Sequence, residues 1–424
     1  MSSETEPHLL GSFRSIAAGS FWTAMGYGAR HVLAAAASVL VARLLGAEVF
    51  GEYGMIASTV AFLGTAADLG MSVSATRFVA AYRISDPERA RRSLSMSIQA
   101  TLAVSVVVGV LLAITAPYLA AVWLHNARLT GPMRVATLAI LFSATGSAVS
   151  GGLRGLGLFR PMAVVEMVLG VVTASLMVAG AWFGRLEGAT IGLVVGSGLR
   201  MAAYAVPLAK HTRPLGWTLW SADAWREAGA ILRFSIPAFA SGFLVTPILW
   251  GVRVLLANSP RGYGEVGTFS AALQWQTPLT FLSVVVATVL LPSMSEQYAQ
   301  GDRKRLVETF RVGFSLLGVV QLVSTALLVI LSGPIASLYG QGYRDLRASL
   351  TLVVVATFFN AVLSIPGQVL AATNRMWLGF ALNLVWASVF LIGSKLAVAH
   401  FGAVGASAAY LLSYLVHALT STLG

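Results

Sequence analysis

The chain has 424 residues, of which 57% are hydrophobic and only 10% charged. A soluble globular chain carries about 25% charged residues, so composition excludes a water-soluble fold and places the chain in a membrane. The net charge of +12 does not indicate nucleic acid, because the basic residues stand singly between apolar spans, as membrane topology requires; with no cysteine, disulfides and thiolate chemistry are excluded as well.

The first 17 residues are polar and mixed in charge, unlike a cleavable signal peptide. A spanning helix needs roughly 20 apolar residues. Twelve such spans are predicted, near 18–43, 52–82, 94–116, 133–153, 161–183, 188–209, 230–256, 265–292, 307–331, 348–371, 377–399 and 402–423. The runs are continuous and lack period-2 alternation, so they read as helices and not as a barrel. The expected fold is therefore an all-α polytopic membrane protein. Fourteen basic residues, from Arg14 and Arg83 to Lys304, Arg305 and Arg375, fall in one set of loops. Five, namely Arg128, Arg185, Arg261, Arg344 and Arg347, fall in the other. The positive-inside rule places both termini in the cytoplasm.

The longest inner loop, 210–229, carries Trp217, Trp220 and Trp225. Indole rings settle at membrane interfaces, so this linker reads as an interfacial segment. It divides the chain into a tail (1–17), a six-helix bundle (18–209) and a second six-helix bundle (230–424). The halves resemble each other. LLAITAPYLAAVWL around Pro117 matches LLVILSGPIASLYG around Pro334, and the segment from Phe183 matches that from Phe401. VARLLGAEVFGEYG in the first half is echoed by VRVLLANSPRGYGEVG in the second. Six spans per half is even, so the bundles are parallel, with a shared central cavity between them.

The ordered patterns LLGAEVFGEYG, ADLGMSVSATRFVA, LPSMSEQYAQGDRKRL and FGAVGASAAYLLSYL resemble the Wzx-type oligosaccharide flippases of the polysaccharide transporter family. These share a superfamily with MATE exporters and lipid II flippases. The resemblance implies alternating-access translocation of undecaprenyl-pyrophosphate-linked oligosaccharide repeat units across the bacterial plasma membrane. The product would be O-antigen, capsule or exopolysaccharide. It also implies membrane lipids and the polymerase and chain-length machinery as partners, no cofactor and no enzymatic activity. The alternative is a cation-coupled MATE-type drug or metabolite exporter. Such exporters typically carry acidic cavity residues, and the first span here has none.

Pyrophosphate crossing about 30 Å of hydrocarbon calls for guanidinium groups, which bind phosphate bidentately and keep their proton. Arg30 lies deep in the first span, either as a pyrophosphate ligand or paired with Asp68. Arg253, near the outer end of the seventh span, either faces the cavity or snorkels outward. Arg77 and Arg233 read first as snorkelling cations, with Arg77 kept as a candidate ligand. Gln274 and Gln276 in the eighth span, with Asn360, Gln368 and Asn383, offer amides to sugars or glue helices together. Glu166 and Arg200 form either a structural pair or a coupling site, and Gly188, Gly192 and Gly196 a tight helix contact. The six histidines show no metal-ligand spacing, and no phosphate-binding glycine loop with lysine is present.

Overall fold

The computed structural model describes the backbone of residues 5–373 and 375–423. Side chains are described from residue 33 onward, apart from scattered positions between 237 and 299, between 371 and 376, and the last three. Among the described residues there is no strand. Thirteen α-helices follow in order: α1 (Thr5–Asp68), α2 (Met71–Tyr82), α3 (Pro87–Tyr118), α4 (Thr130–Leu156), α5 (Phe159–Thr212), α6 (Ala228–Phe243), α7 (Val245–Ala257), α8 (Tyr263–Gln274), α9 (Gln276–Ala299), α10 (Arg303–Ile330), α11 (Ser332–Tyr339), α12 (Leu346–Ala372) and α13 (Met376–Leu423). α1, α5 and α13 each hold two limbs that reverse at Gly46, Arg185 and Gly402. α6 with α7, and α8 with α9, each make one broken span. Twelve crossings result, six on either side of the 213–227 linker.

Proline chemistry explains two of the breaks. Pro247 has no N–H for the carbonyl of Phe243, and the Thr246 hydroxyl donates to that carbonyl instead, at 3.3 Å. Pro278 likewise cannot serve the carbonyl of Gln274, where α8 ends. A third break departs from the sequence expectation. The predicted span 52–82 stops at Asp68, because Leu69 (φ 48°) and Gly70 (φ 74°) are both left-handed. A Cβ on Gly70 would come 2.8 Å from the carbonyl oxygen of Ser235, so glycine permits both the bend and the contact with α6.

The repeat is visible in backbone detail. Asp86 caps α3 by accepting from the Arg89 amide, and Asp302 caps α10 by accepting from the Arg305 amide, each at 3.0 Å. Arg185 (φ 46°, ψ −122°) and Gly402 (φ 53°, ψ −129°) adopt the same unusual turn. That register is one residue away from the sequence match of Phe183 with Phe401. At Gly402 a side chain would collide with the Glu265 carboxylate, which accepts the Ala403 amide at 2.6 Å. Arg185 is exposed and carries its side chain at the expense of backbone strain.

The linker joins α5 to α6. It consists of short 3-10 turns (Arg213–Leu215 and Ala222–Glu227) held against the start of α3. Arg91 is buried; its guanidinium donates to Ser221 Oγ at 2.8 Å, to Glu88 at 2.8 Å and to Asp223. Arg89 and Arg92 both pair with Glu227, at 3.2 and 3.3 Å. Trp217 is buried in the first half's core beside Leu153 and Leu208, whereas Trp220 and Trp225 are exposed.

Two outcomes are expected. Arg185→Gly removes the strain of a non-glycine residue in this region, worth about 1 kcal/mol, and thermal unfolding in detergent should shift upward. Arg91→Ala should free the linker, read as faster proteolytic cleavage within 213–227. The Asp223 carboxyl is held below its usual range, first by its hydrogen bond with Ser221 and then by Arg91. A lowered folded-state pKa contributes stability above the unfolded value and loses it as pH falls through the folded one. Cleavage of the wild type should therefore rise only below the ordinary aspartate range.

Candidate functional site: a closed seam with a guanidinium beneath it

The two halves meet backbone to backbone at the arginine-poor end. An ideal Cβ on Gly51 would lie 1.8 Å from the Tyr263 carbonyl oxygen, and one on Gly267 would lie 2.0 Å from that of Ala47. One turn deeper, Gly54 faces Ser270 Oγ, 2.8 Å from where its Cβ would be. Small residues on α1 and α8 thus allow a contact that any side chain would prevent. Hydrogen bonds between the halves surround it. His125 Nδ1 donates to Asn258 Oδ1 at 2.6 Å, and Asn258 Nδ2 donates to the Trp123 carbonyl at 2.9 Å. The Tyr263 hydroxyl donates to the Leu124 carbonyl, and the Tyr343 hydroxyl to that of Ala42, both at 2.8 Å. Below, Trp250 of α7 donates to Thr59 of α1 at 3.0 Å.

At the arginine-rich end the halves part. α2 touches α6 of the second half, with the Arg77 guanidinium 4.1 Å above the Phe234 ring centroid and Phe78 edge-on to the same ring at 5.9 Å. Among the described residues α9, α10 and α12 make no substantial contact with α2–α5. The molecule is closed across one end and splayed at the other.

Arg253 lies directly under the seam. It projects from α7, half-buried, with Nε donating to Ser270 Oγ and Nη1 to the Leu249 carbonyl, both at 3.4 Å. Both bonds are long for N–H···O. Among the described residues no carboxylate lies within salt-bridge distance of it. Tyr410, next to Arg253, hydrogen bonds with Gln276 and Tyr414. Trp275, between α8 and α9, donates from its indole to Tyr339 Oη at 3.0 Å, and Tyr339 donates to Gln274 Oε1 at 3.5 Å. The structure therefore brings Arg253, Gln274 and Gln276 together around the α8–α9 break. Tyr410, Tyr339 and Ser270 join them; sequence reading missed these, since nothing in an apolar helical run marks one tyrosine as an amide's partner.

The other predicted residues lie elsewhere. Arg77 is exposed on α2, beyond the Leu69–Gly70 break, and stacks on aromatic rings. Arg233 is exposed on α6, and Arg43 exposed near Gly46. Arg30 lies outside the residues whose side chains are described, so its pairing with Asp68 has no geometry to report. Asp68 ends α1 and lines a cavity of about 380 Å³ with Thr65, Ser143 and Ser147. Its Oδ2 accepts from Ser72 at 2.9 Å, and its buried Oδ1 has no partner among the described residues. Glu166 is buried within α5 and accepts from the Tyr204 hydroxyl, one turn beyond Arg200. Asn360, Gln368 and Asn383 are half-buried on α12 and α13.

A model of the polysaccharide biosynthesis protein family matches residues 16–298. The chain is similar to the EPS I polysaccharide export inner membrane protein EpsE of Ralstonia nicotianae, with 25% identity over 90% of this chain and 88% of that one. Among solved structures it is similar in fold to the lipid II flippase MurJ in an inward closed conformation, with a TM-score of 0.74 and 15% identity over 96% of this chain and 86% of the other. It is also similar to an inward-facing multidrug resistance MATE family transporter of the MOP superfamily, with a TM-score of 0.71 and 16% identity over 93% of each chain. The twelve helical crossings share the fold of these transporters, and the family match across two-thirds of the length shows that the chain belongs to the polysaccharide biosynthesis protein family.

Proposed function

We propose that this protein flips an undecaprenyl-pyrophosphate-linked oligosaccharide repeat unit from the inner to the outer leaflet of the bacterial plasma membrane, for export of a surface polysaccharide. The observation that carries the reading is Arg253: a guanidinium with no carboxylate partner among the described residues, under a closed seam and ringed by amide and hydroxyl groups. A permanent cation in that setting suits an anion, and the surrounding Gln274, Gln276 and tyrosines suit sugar hydroxyls. A MATE-type exporter of cationic drugs would want the opposite charge there. With the arginine-rich end in the cytoplasm, as the positive-inside rule directs, the splayed end admits substrate from the leaflet where it is made. The seam opposite must open to release it. Both termini are then cytoplasmic. Asp68, which lines a cavity beside a helix end and has one buried carboxylate oxygen without a partner among the described residues, is the carboxylate this reading assigns to coupling. The name of the Ralstonia relative makes an exopolysaccharide the first glycan class to test.

The test is translocation of a polyprenyl-pyrophosphate-linked oligosaccharide in liposomes. A hydrogen bond to a charged group contributes about 1.5–3 kcal/mol, so Arg253→Ala should slow transport about 10- to 100-fold, with partial recovery in Arg253→Lys. Transport at the wild-type rate in Arg253→Ala overturns the assignment. The absence of native cysteine allows a second measurement. A His125→Cys, Asn258→Cys pair should cross-link on oxidation, stop transport, and regain it on reduction. Undiminished transport in the cross-linked protein would mean that the seam does not open.

A further inference from the structure

We propose that a cleft between the two limbs of α5, at the arginine-rich end, binds an anionic phospholipid of the bilayer. This site is separate from the seam and does not depend on the flippase reading.

The cleft follows from how the α5 hairpin is packed. Near the turn at Arg185 its limbs touch backbone to backbone. A Cβ on Gly188 would lie 2.0 Å from the Gly180 carbonyl oxygen, and one on Gly192 would lie 2.9 Å from that of Leu176. Farther along, the contacts pass to side chains. Gly196 meets the Thr173 methyl, and then the Tyr204 hydroxyl reaches across to Glu166. Limbs pinched by glycine at one end and spaced by Tyr204 toward the other must diverge. Pro161 and Pro207 face each other across the widened end, and the gap there is about 750 Å³, within the roughly 300–1,000 Å³ of known ligand pockets.

Its chemistry is divided. The walls are apolar, formed chiefly by Val164, Val165 and Val206, while Arg160, Lys210 and His211 stand at the mouth. Lys210 and His211 are exposed on consecutive positions at the end of α5. Glu166, deeper in the same limb as Arg160, is buried and receives the Tyr204 hydroxyl. Basic pockets between transmembrane helices on the cytoplasmic side hold anionic headgroups in this way.

The occupant is set by where the cleft opens. α5 packs against α1, α4 and the Arg213–Leu215 turn, with Leu208 beside the buried Trp217. Val164, Val168, Val171 and Val206 are all about half exposed. In a membrane protein such a face meets lipid tails. Among the described residues α5 makes no substantial contact with α6–α9, so the cleft is separate from the Arg253 site. A resident phospholipid fits both facts, whereas a lipid-linked sugar in transit fits only the first.

Native mass spectrometry of the detergent-solubilised full chain tests this, after incubation with phosphatidylglycerol or phosphatidylcholine of matched acyl chains. The wild type should retain phosphatidylglycerol in clear preference. Losing the Lys210 cation and the His211 imidazole should lower that retention about five-fold or more in a Lys210→Gln, His211→Gln variant, with phosphatidylcholine unchanged. Val206→Trp, which fills the cleft and keeps the charges, should lower phosphatidylglycerol retention as well. Equal retention of the two lipids by the wild type, or a preference that survives both variants, overturns the proposal. Displacement of phosphatidylglycerol by undecaprenyl phosphate at far lower concentration overturns it in favour of the substrate lipid.

Discussion

Everything else in this structure depends on one close approach, that of α1 and α8 at Gly51 and Gly267. Lipid tails are as apolar as leucine, so two membrane helices gain nothing by hiding apolar surface from each other. What they can gain is van der Waals contact, and glycine maximises it by removing the side chain. At this seam the backbones touch directly, and the latch of His125, Asn258, Tyr263 and Tyr343 closes around them. Hydrogen bonds between transmembrane segments average only about 0.6 kcal/mol each. The closure is therefore worth a few kcal/mol, enough to favour one state and little enough for a ligand's differential affinity to reverse it.

The broken spans make that closure compatible with an opening at the other end. Prolines at 247 and 278 interrupt the two second-half spans that line the interface, below the seam in both cases. α7, α8 and α9 all touch α1 of the first half, and at the arginine-rich end α6 touches α2; the linker accounts for that last contact. Strapped to α3 by Arg89, Arg91 and Arg92, the linker holds α6 against α2 while the inner ends of α9, α10 and α12 stand away. Arg77 stacked on Phe234 is part of this fastening. That is why a residue read from sequence as a possible ligand sits far from the other candidates.

How much of this could be read from sequence depends on whether the determinant is local. The spans, the repeat, the proline breaks and the aspartate caps are local, and each is visible as a run, a match or a residue type. The Gly188, Gly192 and Gly196 stripe was equally readable as a tight contact. The Leu69–Gly70 break was not, because a leucine in left-handed geometry has no sequence mark; it exists to bring Gly70 against Ser235. The glycines of LLGAEVFGEYG and RGYGEVG were visible in both halves, yet their pairing needs the register of one half against the other. The same limit applies to Gln274 and Gln276, whose partners come from α11 and α13, and to Trp217, which leaves the interface for the core.

Charge partnership then separates the arginines in a way that position alone could not. Arg89, Arg91 and Arg92 lie beside Asp223 and Glu227, and Arg261 beside Glu265 and Asp345. Each of these cations is satisfied within the chain and fixes a loop. Arg253 is the contrast. It is enclosed by α7 and α8, its two hydrogen bonds are long, and its companions are hydroxyls and aromatic rings that cannot neutralise it. A guanidinium taken from water without a counter-charge costs several kcal/mol, and a fold that needed only packing there would do better with leucine. Under the function proposed above, the missing counter-charge is the substrate's pyrophosphate, which would reach the guanidinium beneath the closed seam and leave when the seam opens.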